Sequence, residues 1–175
     1  MKEYTFAYGS GSVRIPLDER QVSAVLSGNR VPPVADIRAA LWESLDAPVE
    51  QAPLRECVRP GDRVALIVSD MSRFWMRQDL VIPHLVSYLL DECALPAENL
   101  TVVVANGTHT GGDEKELRTL VTDAVFDRIR VVNHDFRADD LVTLGTTSFG
   151  TVVSVNRIAA EADLCVCLGA ATFHI

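Results

Sequence analysis

Four short strings in this sequence gather the residue types that proton transfer and carboxylate binding require: Ser69-Asp70-Met71-Ser72-Arg73, Asn106-Gly107-Thr108-His109, His134-Asp135 and Thr172-Phe173-His174. Histidine exchanges protons near neutral pH, and the guanidinium fork of arginine holds a carboxylate through two parallel bonds. Each string also has a plain structural reading. Asp70 and Ser72 suit the cap of a following helix, Asn106-Gly107 is a common turn dipeptide, and His134-Asp135 suits a local hydrogen-bonded pair at a loop start. What distinguishes the four strings is that they recur at corresponding places in a repeating pattern of elements.

From residue 63 onward, short β-branched runs alternate with longer segments of helical period, the signature of a parallel sheet with crossover helices. Strands are expected at 64–68, 100–105, 129–133 and 164–168, and helices at 79–93, 114–121 and 157–161. Pro83 is tolerable in the first turn of its helix, and His84 beside it reads as a packing or surface residue. The fold class that follows is α/β: an open, mostly parallel, Rossmann-like sheet with crossover helices and an N-terminal β arm. All four strings then fall directly after strands, and open parallel sheets bind ligands outside the carboxyl ends of their strands. Residues 143–156 alternate around glycines and read as a β-hairpin inserted at the sheet edge.

The first sixty residues differ in kind. Two short strands, 4–8 and 12–17, flank Gly9-Ser10-Gly11, and one helix at 34–45 lies among prolines. Residues 1–60 therefore read as an arm or cap packed on the domain, and 61–175 as the cofactor- and substrate-binding α/β domain. The Gly-Ser-Gly element is a poor phosphate loop, because a strand follows it where an anion would need a helix N-terminus.

Composition narrows the partners. Sixteen Lys and Arg against 24 Asp and Glu give a formal charge of −8, which repels phosphate backbones and anionic lipid surfaces, so neither nucleic acid nor membrane is expected. The longest uncharged stretch, residues 141–156, is too short and too polar to span a bilayer, and the N-terminus has no signal-like apolar region; a cytoplasmic location is the expectation. The cysteines at 57, 93, 165 and 167 lack zinc-knuckle spacing and read as buried reduced thiols, with Cys165 and Cys167 on one strand face. The chain stops directly after an apolar strand, where a doubly wound unit would supply a covering helix, so it reads as cut short, with Leu164, Val166 and Leu168 losing cover.

The strings Ser69-Asp70-Met71-Ser72-Arg73, Ala105-Asn106-Gly107-Thr108-His109, Asn133-His134-Asp135, Leu144-Gly145-Thr146-Thr147-Ser148-Phe149-Gly150-Thr151, Val155-Asn156-Arg157 and Glu161-Ala162-Asp163-Leu164, in that order, resemble the N-terminal domain of the nickel-dependent lactate racemase family over nearly the whole chain. That resemblance implies an isomerase that interconverts the enantiomers of a small 2-hydroxy acid. It implies a nickel-pincer nucleotide as cofactor, which takes hydride from the substrate carbon and returns it to the other face of the 2-keto acid. The family's tethering lysine, nickel-ligating histidine and second domain lie past the last histidine, so no metal ligand is expected in this chain. His109 and His174 match the two acid/base histidines. Arg73 matches the residue that holds the substrate carboxylate. Asp70 and Ser72 lie near the cofactor, and Thr108 and His134 in the same pocket. Enzymes that build the cofactor are implied as partners.

Departures from the family pattern concern flanks. Phe74-Trp75-Met76-Arg77 stands where prolines and a small residue commonly follow the arginine, Thr110-Gly111-Gly112 replaces Arg-Pro after the histidine, and Phe173 replaces a proline. Trp75 and Phe74 either line a pocket for a substrate other than lactate or pack the cap. The alternative reading is a noncatalytic nucleotide- or metabolite-binding α/β domain. A metal hydrolase is disfavoured, since no His-Glu-x-x-His or comparable spacing is present.

Overall fold

The computed structural model describes residues 1–29 and 31–171. The chain divides into two compact units, Met1–Pro33 and Val34–Ile175. In the first, β1 (Lys2–Tyr8) and β2 (Gly11–Leu17) form an antiparallel hairpin with Tyr8 opposite Gly11. A two-residue turn of this kind needs a left-handed backbone, and Gly9 provides it at φ 56°.

The second unit starts well before residue 61, the boundary expected from composition. Both α1 (Ile37–Asp46) and α2 (Leu54–Cys57) belong to it, because Leu41, Trp42, Leu45 and Leu54 pack against its core. Asp36 caps α1 by accepting the Ala39 N–H at 2.9 Å. The hydroxyl of buried Tyr88 donates to Asp46, which also pairs with Arg55, and Trp42 meets the Tyr88 ring edge-on with centroids 5.6 Å apart. Prolines punctuate this stretch, yet apolar burial binds it to the sheet.

Four strands form one parallel sheet. They are β3 (Val64–Ser69), β4 (Leu100–Ala105), β5 (Arg130–Asn133) and, after a hairpin of β6 (Val142–Thr146) and β7 (Val152–Val155), β8 (Leu164–Leu168). Their spatial order is β5-β4-β3-β8, all pairs parallel. The architecture is the expected mixed α/β one. The chain moves outward from β3 to β5 and then returns to the other side of β3, so the strand order reverses at β3 and β8. Such a reversal is where open sheets leave a crevice at their carboxyl ends.

The core lies on one face of the sheet. Val64, Leu66 and Val68 of β3 and Leu100, Val102 and Val104 of β4 meet Ile82 and Leu85 of α3 (Ile82–Ser87), Leu120 and Val121 of α4 (Glu114–Val121), and Val125 of α5 (Asp123–Phe126). The segment expected as one helix over 79–93 is broken: a 3-10 turn (Gln78–Leu80) precedes α3, and a π turn (Tyr88–Glu92) follows it. Pro83 sits in the first turn of α3, where its missing N–H costs nothing.

Two further expectations are corrected. The β6–β7 hairpin forms its own two-stranded sheet, with a bulge between Thr143 and Gly145, and does not extend the edge of the parallel sheet. Cys165 and Cys167 do share a face of β8, but it is the exposed one; of the cysteines, Cys93 alone is buried. Period 2 explains both facts. Leu164, Val166 and Leu168 point to the core face and pack against it, each only partly buried. On the opposite face α6 (Arg157–Glu161) lies against β3 and β4 and reaches the outer strand at Cys165, whose Sγ donates to the Ala159 carbonyl at 3.4 Å, but leaves that face of β8 largely exposed.

Candidate active site

The loop after β3 is set by a buried glutamine. Gln78, 2% exposed, donates from Nε2 to the Ser69 carbonyl at 2.6 Å and accepts the Ser69 N–H at Oε1 at 3.2 Å. This satisfies the last residue of β3, which pairs with Ala105 of β4 but has no partner on β8, and fixes where Asp70 begins the 3-10 turn Met71–Met76. Asp70 makes no side-chain capping bond there, contrary to the plain reading of its position. Its carboxylate instead accepts the Ser72 hydroxyl at 2.6 Å and meets Nδ1 of His109 at 2.5 Å.

His109 comes from the loop after β4. Asn106, 3% exposed, starts that loop; Gly107 follows with φ 58°, and the His109 N–H returns to the Asn106 carbonyl at 2.9 Å. On the other side α4 opens with a capping box between Asp113 and Glu116, so the loop is anchored at both ends. The ring of His109 is 57% exposed, whereas the Asp70 carboxylate is 13% exposed. Burial pushes the Asp70 carboxyl up, but the bonds from Ser72 and His109 outweigh it and hold the group below its ordinary value. A carboxylate facing Nδ1 fixes the ring proton on that nitrogen and leaves Nε2 as the proton acceptor.

Arg73 lies beside this pair. Its side chain's one hydrogen bond among the described residues is a 3.4 Å contact from a terminal guanidinium nitrogen to Ser72 Oγ, so the fork is open to an anion. Asp70, Ser72, Arg73, Asn106, Thr108 and His109 line one cleft of roughly 380 Å³ at the carboxyl ends of β3 and β4. His109 and Thr108 also border a second cleft, with His134 on its far side. Two buried polar atoms near these clefts, Oδ1 of Asn106 and Nδ1 of His134, have no hydrogen-bond partner among the described residues.

Of the residues singled out from sequence, Asp70, Ser72, Arg73, Thr108 and His109 therefore converge, and His134 stands next to them. Trp75 is 60% exposed and lines neither cleft. His174 lies outside the described residues. Sequence reasoning missed Gln78 and Asn133 and treated Asn106 as a turn residue; their signal was polar amides next to apolar strands, which cannot face a core unpaired. No group of three or more His, Cys, Asp or Glu that could hold a metal occurs among the described residues.

The family model for the lactate racemase N-terminal domain matches residues 8–175. The chain belongs to that family. Two curated relatives of this chain are both lactate racemases. The one from Lactiplantibacillus plantarum is 26% identical over 93% of this chain and 41% of its own length. The one from Thermoanaerobacterium thermosaccharolyticum is 22% identical over 97% of this chain and 40% of its own. The solved structure of the lactate racemase apoprotein from Thermoanaerobacterium thermosaccharolyticum shares the fold at a TM-score of 0.79 and 20% identity, over 95% of this chain and 38% of that one. The chain thus spans about two-fifths of the length of the curated relatives it matches. Among the described residues no helix is long and apolar enough to cross a membrane.

Proposed function

We propose that this domain provides one half of the active site of a 2-hydroxy-acid racemase or epimerase. The observation that carries the reading is the Asp70–His109 pair beside an arginine whose fork is free. In this reading Arg73 binds the substrate carboxylate. His109, held by Asp70 with Nε2 available, removes or returns the proton of the substrate hydroxyl on one side. Inversion presents that hydroxyl from the opposite side in the second half of the reaction, and His174 is the residue proposed to act there.

The family implies a nickel-pincer nucleotide, and the described residues fit its polar organic part better than its metal. Hydroxyls of Ser72 and Thr108 and the ring of His134 border the clefts, and the unpartnered Asn106 Oδ1 needs a donor. Metal ligands and the tether are proposed to come from outside this chain, and enzymes that build the cofactor are the proposed partners. When bound, the group supplies the reversible oxidation and reduction of the substrate carbon. Everything else in the scheme falls to the side chains named above.

The test is an enantiomer assay on the full-length, cofactor-loaded protein with small 2-hydroxy acids. His109→Ala should lower turnover by about two to four orders of magnitude, the usual worth of positioned proton transfer. Wild-type protein that binds such an acid without interconverting its enantiomers would instead support a noncatalytic binding domain.

A further inference from the structure

We propose that Asn133 is a positioning residue for His109. The proposal rests on the reading of His109 as an acid/base group for its functional meaning, while its geometry stands independently. Asn133 is the last residue of β5. Its amide pairs with the backbone of Gly112 in both directions: Nδ2 donates to the Gly112 carbonyl at 2.8 Å, and Oδ1 accepts the Gly112 N–H at 3.2 Å. The same Oδ1 accepts Nδ2 of Asn106 at 3.0 Å. Asn106 in turn accepts the His109 N–H through its carbonyl. One side chain thus ties down the loop on both sides of His109, three residues before it and three after.

Sterics point to the same contact. A Cβ on Gly111 would come within 2.8 Å of Asn133 Cγ and 3.0 Å of its Nδ2, so the loop lies flat on the amide only because residue 111 has no side chain. The Thr110-Gly111-Gly112 segment is therefore the part of the loop fitted to Asn133. His109 itself is mostly solvent-exposed, and among the described residues its ring is held by Asp70 alone. An exposed ring on an unanchored loop samples many orientations. The Asn133 clamp removes that freedom and keeps Nδ1 within reach of the carboxylate.

The test uses the full-length protein with selectively 15N-labelled histidine, which reads the His109 ring tautomer, together with hydrogen exchange of the peptide spanning 107–113. In wild type His109 should hold one Nδ1–H tautomer and the Gly112 amide should exchange slowly. Asn133→Ala should raise exchange in that peptide by about tenfold or more and let His109 populate both tautomers. Gly111→Ala keeps every hydrogen-bonding group yet should act in the same direction, by pushing Asn133 aside. Asn133→Asp, which keeps the acceptor shared by Asn106 and Gly112, should fall between. If Asn133→Ala fails to fold, the other two variants carry the test. A wild-type tautomer and wild-type exchange in Gly111→Ala, or in Asn133→Ala where it folds, would overturn the proposal. In the loaded enzyme Asn133→Ala should lower kcat about tenfold and leave KM for the hydroxy acid unchanged, the pattern of a supporting residue. Absence of racemisation by wild type would overturn the functional reading, and the ring measurements would still decide on Asn133.

Discussion

The carboxylate of Asp70, one residue past the end of β3, meets the ring of His109, four residues past the end of the neighbouring parallel strand β4. Neither residue is a neighbour of the other in sequence. Parallel registry of Ser69 with Ala105 brings the two loops side by side, and Gln78 and Asn106 keep each loop start in place.

Asp70→Asn should cost at least about tenfold in turnover of the loaded enzyme, because an amide no longer enforces one ring tautomer. The pH dependence has a definite sign. The folded Asp70 carboxyl lies below its ordinary value of 3.8, so its contribution to stability is present above that pH and is lost as pH falls through the lower folded value. Thermal melts of wild type and Asp70→Asn should differ at neutral pH and converge in strong acid.

Arg73→Lys keeps the charge and loses the planar fork. Racemisation should fall about tenfold or more, chiefly through KM for the hydroxy acid, as for a carboxylate clamp lost. Kinetics matching wild type across candidate acids would reduce Arg73 to a surface charge.

Tyr88→Phe should destabilise the second unit by about 1.5–3 kcal/mol, the worth of a hydrogen bond to a charged group, as read by urea unfolding. Burial and the Asp46 bond raise the Tyr88 phenol to about 12. A raised pKa stabilises below the ordinary value of 10.0, and that stability is lost as pH climbs through about 12. Wild type should therefore lose stability in that alkaline window and Tyr88→Phe should not.

Maleimide labelling followed by peptide mass spectrometry should find Cys167 reactive in the folded chain, Cys165 slower, because burial raises its thiol and Sγ donates to the Ala159 carbonyl, and Cys93 protected. Cys93 is buried, and burial pushes its thiol up to about 11, so it lacks both access and thiolate. Protection of Cys167 would contradict the assigned faces of β8, and ready labelling of Cys93 would contradict its burial.

The parallel sheet was readable from sequence because both of its faces demand apolar runs: β4, α4, α6 and β8 fall where the hydrophobic pattern puts them. The convergence of Asp70, Arg73 and His109 was readable because residues just past neighbouring parallel strands share one edge of the sheet. The rest depended on contacts distant in sequence. Trp42 and Leu45 show amphipathic spacing, but nothing local says that they meet Tyr88, so residues 34–60 looked like part of the arm. Cys165 and Cys167 alternate like core residues; only the placement of α6 tells which face of β8 is covered. Asn133 and Gln78 are single polar residues whose roles exist only through their backbone partners.

The registry of β3 with β4 also governs when the site can come into being. Ser69 and Ala105 pair across an intervening segment containing α3 and the π turn, so their meeting closes a long loop whose entropy must be met before the strands reward it. A nascent chain that has released β3 but not β4 holds Asp70 with no imidazole to face. Assembly of the Asp70–His109 pair is therefore tied to the pairing of β3 with β4 rather than to any local turn, and the appearance of the His109 tautomer in a refolding experiment would time that pairing.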